Sequence, residues 1–315
     1  MMGNNGIPRK PKALAAGSRL GVFAPASPAD SVEMIAGLGE LKRHGFQVVA
    51  NQDSKAEGYF AGPPMERVNS FLGNVNSTQV DGLVALRGGY GSNYLLDFEL
   101  EKSLANSKCV IGFSDLTTLQ IYLWQRCNWV TFYGPMVAAG LSSGPGAQKG
   151  YDENSFLQAI GKIEGGWTVR LKGEPVLAGQ AMGRVLGGCM TLMETTIGTP
   201  WELETKDSIL VLEDRAMKPY QVDRVLMHLK QAGKLQGVRG IVLGDFPESE
   251  PTVPGAPSVR EVCARILRPL GIPIVFGAPV GHTPRPMLTL PLGIKARLDA
   301  DGEGTLEYLE PAVVA

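Results

Sequence analysis

The stretch CVIGFSDLTTLQIYLWQR, Cys109 to Arg126, decides the reading of the fold. Cys109 to Phe113 is a short apolar run of strand type, and from Asp115 onward apolar residues recur at three- and four-residue spacing, as on one face of a helix. Ser114 sits at the join, on a strand-to-helix turn. The same alternation extends from Leu20 to Met136. Leu20–Ala24, Phe46–Ala50, Gly82–Leu86 and Trp129–Phe132 read as further strands, and Ser31–His44, Met65–Val75 and Ser92–Ala105 as the helices between them. Such repetition predicts a parallel sheet wound on both faces by helices, an open α/β domain.

Further along, the pattern changes. Residues 138–178 begin with a Gly-, Ser- and Ala-rich segment and are expected to form a linker or crossover. Beyond it, strands outnumber helices. Trp167–Leu171, Val176–Val185, Ser208–Leu212, Gly240–Leu243, Ile274–Phe276, Ile294–Leu298 and Thr305–Leu309 read as strands, Gln221–Ala232 and Ser258–Leu270 as helices. The expected organisation is a loose tail over residues 1–18, an α/β domain over 19–137, the linker, and a smaller α+β domain over 179–315. A chain of 315 residues suits two domains.

A formal net charge of −1, without a dense Lys/Arg block beyond Arg9-Lys10-Pro11-Lys12, leaves no footprint for nucleic acid. No apolar run reaches membrane-spanning length, and residues 1–18 lack the apolar core of a signal peptide, so a cytoplasmic protein is expected. Cys109, Cys127, Cys189 and Cys263 stand singly, with no histidine at zinc-ligand spacing; reduced thiols and no metal follow.

In wound sheets the ligand crevice lies beyond the carboxyl ends of the strands, which directs attention to Arg87-Gly88-Gly89-Tyr90-Gly91 and to Ser114. A serine on such a turn projects its hydroxyl beyond the sheet, and the free N–H groups of the new helix can stabilise an oxyanion. Ser114 or Asp115 can equally serve as a plain helix cap. The glycines allow backbone to approach a substrate, or simply make a tight turn. They lack Gly-x-Gly-x-x-Gly spacing and follow the third strand, which argues against a nicotinamide cofactor.

A serine nucleophile needs a base, and the chain has three histidines. His44 precedes Gly45 at a helix end and His228 lies inside a helix. His282, in the loop Val280-Gly281-His282-Thr283-Pro284, is left by elimination. For the carboxylate that orients the imidazole, Glu213 ends an apolar strand; its neighbour Asp214 should point the opposite way, and either acid has a salt bridge to Arg215 as its alternative use.

At these positions the chain resembles the serine LD-carboxypeptidases and their relatives that confer immunity to microcin C-type peptides. The matching blocks include Pro25-Ala26-Ser27-Pro28, Arg87 to Gly91, Gly112-Phe113-Ser114-Asp115, Phe132-Tyr133-Gly134-Pro135-Met136, Leu212-Glu213-Asp214 and Gly281-His282 followed by Thr289-Leu290-Pro291-Leu292-Gly293. They stand in the family's order and span nearly the whole chain. The resemblance implies a flavodoxin-like or Rossmann-like N-terminal domain, a swivelling-type β-rich C-terminal domain and a homodimer. It also implies a Ser114–Glu213–His282 triad, an oxyanion hole from the N–H groups of Gly88 and Asp115, and no metal or organic cofactor. Arg87, Gly89 and Tyr90 are the candidates for substrate binding. Three positions depart from the common pattern: Tyr94, Gln120 and Met217.

What the resemblance implies is hydrolysis of an L,D amide bond, releasing D-alanine from a murein tetrapeptide during cell-wall recycling. A peptidyl or aminoacyl adenylate is the alternative substrate, for which Trp124, Trp129, Trp167 and Trp201 are the available aromatic platforms. A catalytically silent wall-peptide-binding protein is the reading from another functional class.

Overall fold

The computed structural model describes residues 6–50 and 56–315. Strands β1 (Arg19–Phe23), β2 (Gln47–Ala50), β3 (Gly82–Ala85), β4 (Cys109–Gly112) and β5 (Thr131–Tyr133) are parallel, in the order β5-β4-β3-β1-β2. This is the flavodoxin-like order, with its switch between β1 and β3. Helices α1 (Ser31–Arg43), α2 (Pro64–Asn76) and α3 (Thr117–Cys127) connect strands. β1, β3 and β4 read as uninterrupted apolar runs because side chains on both faces of the sheet are covered.

The expected helix Ser92–Ala105 is instead two 3-10 segments, Ser92–Phe98 and Leu100–Lys102. Glu99 lies between them at φ 45°, a left-handed conformation no continuous helix accommodates.

Residues 138–178 are not an open linker. Leu141 and Tyr151 are buried, and the segment contains helix α4 (Glu153–Ile160) and strands β6 (Trp167–Arg170) and β7 (Glu174–Leu177). Its small residues serve close packing: a Cβ on Gly150 would lie 2.0 Å from the Gly144 carbonyl oxygen, and one on Gly140 2.7 Å from Pro135 Cβ. The described part of the expected loose tail is likewise tied down, residues 1–5 lying outside the described ones. Arg9 N–H donates to the Asn128 carbonyl (2.7 Å) and Ala13 N–H to that of Val314 (2.8 Å), while Leu14 is buried.

The second sheet continues with β8 (Gln180–Cys189), β9 (Ser208–Glu213), β10 (Gly240–Leu243) and β11 (Ile274–Phe276), followed by β12 (Leu290–Leu292), β13 (Lys295–Asp299) and β14 (Thr305–Tyr308). Its order is β6-β14-β13-β8-β9-β10-β11-β7. β8 to β11 run parallel and the flanking pairs antiparallel. The run Val176–Val185, expected as one strand, is divided between β7 and β8 because Gly179 turns the chain at φ 132°. A short helix α5 (Met190–Glu194) follows β8, and helices α6 (Pro219–Gln231) and α7 (Val259–Leu267) come later. Val222 and Leu226 of α6 and Val262 and Ile266 of α7 share a buried cluster with Leu210, Leu212 and Ile241 of the sheet.

β12 does not join this second sheet. It pairs antiparallel with β5, Leu290 opposite Tyr133 and Leu292 opposite Thr131, and so completes the edge of the N-terminal sheet.

Candidate active site

The site is assembled where the carboxyl ends of the parallel strands of the two sheets meet. β4 ends at Gly112, and Ser114 opens a 3-10 turn, Ser114–Leu116, that runs into α3. Ser114 has φ 62°, a left-handed conformation that costs a non-glycine residue roughly 1–2 kcal/mol. A strained strand-to-helix turn of this kind holds a serine hydroxyl out at the top of a sheet. The turn is also tight, since a Cβ on Gly112 would come within 2.3 Å of Leu116.

Glu213, at the end of β9, is wholly buried. Its Oε2 accepts from the His282 backbone N–H (2.8 Å) and from His282 Nδ1 (2.9 Å). A carboxylate at Nδ1 fixes the proton there and leaves Nε2 free to accept one. Gly281 makes this approach possible: it has φ 61°, and a Cβ on it would lie 2.2 Å from Glu213 Cδ. The Phe113 ring packs edge-on against the imidazole, with centroids 5.2 Å apart.

Burial disfavours the charged form of His282, but the charge and hydrogen bond of Glu213 outweigh it, so the imidazole titrates above its ordinary value.

Sequence reading did not single out Tyr133. Its hydroxyl donates to Glu213 Oε1 (2.5 Å) and accepts from the Ser114 N–H (3.3 Å), linking the serine's backbone to the buried carboxylate. Burial and the adjacent Glu213 charge push its phenol far up, so it stays a hydrogen-bond donor. The signal was present: Tyr133 ends β5 directly beside Gly112 of β4, at the carboxyl edge where ligands of wound sheets bind.

Ser114 and His282 face a common cleft of about 680 Å³, whose walls include Arg87, Gly88, Gly89 and Phe113. Among the described residues no hydrogen bond joins the Ser114 hydroxyl to His282. Gly88 lies against the serine, since a Cβ there would be 3.3 Å from Ser114 Oγ. The backbone N–H groups of Gly88 and Asp115 have no acceptor among the described residues. Arg87 Nη1 donates to the Pro28 carbonyl (3.1 Å), and no described carboxylate pairs with its guanidinium.

Gly89 has φ 106°, and a Cβ there would strike Ser27 Oγ at 2.3 Å. Tyr90 is held elsewhere. Ser27 Oγ accepts its N–H (3.2 Å), and its ring packs with Tyr59, Phe60 and Tyr94 beside the cleft rather than on its wall.

Asp214 does point away from Glu213: its carboxylate accepts from the Thr191 N–H (2.9 Å) and hydroxyl (2.7 Å). Arg215 pairs with Glu248 at 2.7 Å, so neither acid is spent on it. His44 caps α1 and contacts the Tyr151 hydroxyl (2.6 Å), while His228 meets Glu194 (2.8 Å).

The three departures from the family pattern lie off the cleft wall. Gln120 is buried and donates to the Gly112 and Phe132 carbonyls, each at 3.0 Å, tying together the ends of β4 and β5. Met217 Sδ lies 3.5 Å from the Thr191 hydroxyl oxygen, and the Tyr94 ring lies over Arg67.

Comparison with known proteins adds a family to this geometry. The LD-carboxypeptidase N-terminal domain matches residues 20–134 and the LD-carboxypeptidase C-terminal domain residues 182–298. The chain is 32% identical over 296 residues to the probable murein peptide carboxypeptidase of Bacillus subtilis (strain 168), covering 92% of this chain and 91% of that one. Among solved structures it superposes on the microcin C7 self immunity protein MccF in complex with aspartyl sulfamoyl adenosine at TM-score 0.89 and 26% identity, covering 98% and 100% of the two chains. The muramoyltetrapeptide carboxypeptidase from Oxalobacter formigenes matches at TM-score 0.81 and 26% identity, over 93% and 99%. Matched in both halves, in order, and along nearly all of its length by a relative of the same kind, the chain belongs to the LD-carboxypeptidase family and is a serine hydrolase of peptide bonds.

Proposed function

We propose that this enzyme is an LD-carboxypeptidase that releases the terminal D-alanine of a murein tetrapeptide, with Ser114 as nucleophile, His282 as base and Glu213 as its orienting carboxylate. The observation that carries the reading is the buried Glu213–His282 pair facing the same cleft as a serine held at φ 62° on a strand-to-helix turn. In this mechanism His282 Nε2 takes the Ser114 proton as Oγ attacks the amide carbonyl. The resulting oxyanion rests on the N–H groups of Gly88 and Asp115. His282 then protonates the departing amine, and a water deprotonated by the same imidazole releases the acyl group. Substrate closes the Ser114–His282 gap, since catalytic hydrogen bonds tighten in the reacting complex.

A terminal D-alanine presents a free carboxylate; Arg87 and Lys149 are cations on the cleft wall that form no ion pair among the described residues, and Arg87, next to Gly88 and the serine, is the candidate anchor. Arg87→Ala is expected to raise KM about 10- to 100-fold with a smaller change in kcat, the worth of a hydrogen bond to a charged group. Steady-state kinetics on the tetrapeptide check this, and an unchanged KM removes Arg87 from the site.

The adenylate reading has weaker support. Trp124, Trp129 and Trp167 are buried in the cores, Trp201 packs on Tyr122, and none lies on the cleft wall to carry a nucleobase. Incubating the enzyme with a murein tetrapeptide and, separately, a peptidyl-adenylate analogue separates the two. D-alanine release with an intact adenylate is expected; the reverse result establishes the immunity-type activity.

The reading extends to a cytoplasmic homodimer acting in wall-peptide recycling. Four cysteines, all buried and unpaired, suit a reducing compartment. Equilibrium sedimentation checks the dimer, and a monomer at micromolar concentration refutes it.

A further inference from the structure

The two proposed oxyanion donors belong to different loops, and the structure contains a direct tie between them. Asp115 supplies one donor through its backbone N–H. Its side chain turns inward and is buried. There the carboxylate accepts the Ser92 N–H at Oδ2 (2.7 Å), beside Gly91. Those residues end the glycine loop whose first glycine, Gly88, supplies the other donor. The tie is returned in the opposite direction: the Ser92 hydroxyl donates to the Asp115 carbonyl (2.5 Å) and contacts the Thr118 hydroxyl (2.8 Å), which itself donates to the Asp115 carbonyl (3.1 Å).

Below the loop, the buried Arg67 guanidinium donates to the carbonyls of Gly91 (2.6 Å), Pro25 (2.5 Å) and Gly62 (3.0 Å). The end of the loop is thus held at the Gly91 carbonyl by Arg67 and at the adjoining Ser92 N–H by Asp115. The Gly91 φ of 135°, with Arg67 2.7 Å from where a Cβ would stand, admits only glycine.

We infer that the Asp115 carboxylate is a positioning group that sets the spacing between the Gly88 and Asp115 N–H donors, so that they converge on the oxyanion rather than on the ground-state carbonyl. This rests on the serine-nucleophile reading above. A carboxylate suits the task because it is acceptor-only, so both oxygens are compatible with the Ser92 N–H and with the N–H of Gly91 beside it. An amide of the same shape turns an NH2 toward one of them.

The consequence is confined to the transition state, where a donor displaced by about an ångström costs on the order of 10²-fold in rate. Asp115→Asn is therefore expected to lower kcat about 10²-fold, within the range found for loss of an oxyanion donor. Tetrapeptide Kd, measured by calorimetry in a Ser114→Ala background with and without Asp115→Asn, should stay within about 3-fold. Ser92→Ala, which removes only the returning hydroxyl, is expected to lower kcat in the same direction by about 10-fold, again at constant Kd. Unchanged kcat in Asp115→Asn, or a Kd weakened in step with kcat in both variants, overturns the inference. A Ser114→Ala enzyme with wild-type turnover overturns the nucleophile assignment instead, and is recognised separately because it needs no Asp115 variant.

Discussion

Ser114→Ala is expected to abolish D-alanine release, lowering kcat by about 10⁶-fold, the loss seen when a serine nucleophile acting with its base is removed. The remaining rate over uncatalysed hydrolysis comes from the oxyanion donors and from binding. The substitution is clean at this position. Ser114 is already at φ 62°, and alanine bears the same left-handed strain as serine, so the backbone gains no reason to relax. Among the described residues the hydroxyl makes no hydrogen bond whose loss would destabilise the fold. Melting temperature and tetrapeptide Kd should therefore stay near wild type while turnover disappears. A variant retaining a tenth of wild-type kcat would exclude Ser114 as nucleophile.

Glu213→Gln is the second large effect, with kcat expected to fall about 10⁴-fold. The carboxylate accepts two bonds from His282 at Oε2 and one from Tyr133 at Oε1. Glutamine offers one acceptor oxygen and, in place of the other, a donor. The larger loss is electrostatic, because the imidazolium formed as His282 takes the serine proton no longer faces a negative charge.

The pH profile carries the diagnostic sign. The base works as neutral imidazole, so kcat/KM falls as pH drops through the His282 pKa. In the wild type burial pulls that pKa down, but Glu213 raises it above the ordinary 6.5, and the acid limb should be centred above 6.5. Glu213→Gln removes the two largest raising influences and leaves burial against the smaller pull of Asp214, which moves the limb to lower pH even as the plateau collapses. A limb that stays in place in the variant would mean that another group governs the profile.

Much of this arrangement is legible along the chain because it is local. The apolar runs of β1, β3 and β4, the turn at Ser114 and the Gly281–His282 loop each announce themselves within a few residues. His282 follows by elimination once serine chemistry is assumed, since the other two histidines sit in helical contexts, whereas its pairing with Glu213 is what the family resemblance implies.

What escaped is non-local. Tyr133 falls just past the expected strand Trp129–Phe132, and its hydroxyl becomes the link between Ser114 and Glu213 only when β4, β5 and β9 are brought together. Leu290-Pro291-Leu292 is too short to announce a strand, and nothing nearby shows that it pairs with a segment more than 150 residues earlier. The Ala138–Gly150 stretch misled for a physical reason. Small residues suit flexible linkers and close packing equally, and the close approaches at Gly140 and Gly150 reveal which applies.

β12 has a consequence for how the chain divides. The two family domains match residues 20–134 and 182–298, yet the outermost strand of the first sheet is Leu290–Leu292. A fragment ending near residue 137 would leave β5 with a bare row of backbone donors and acceptors, the kind of edge that recruits other chains. The C-terminal piece would carry β12 with nothing to pair against. Sequence modules and folding units therefore do not coincide here, and the nucleophile's half of the enzyme is complete only after residues 290–292 have emerged from the ribosome.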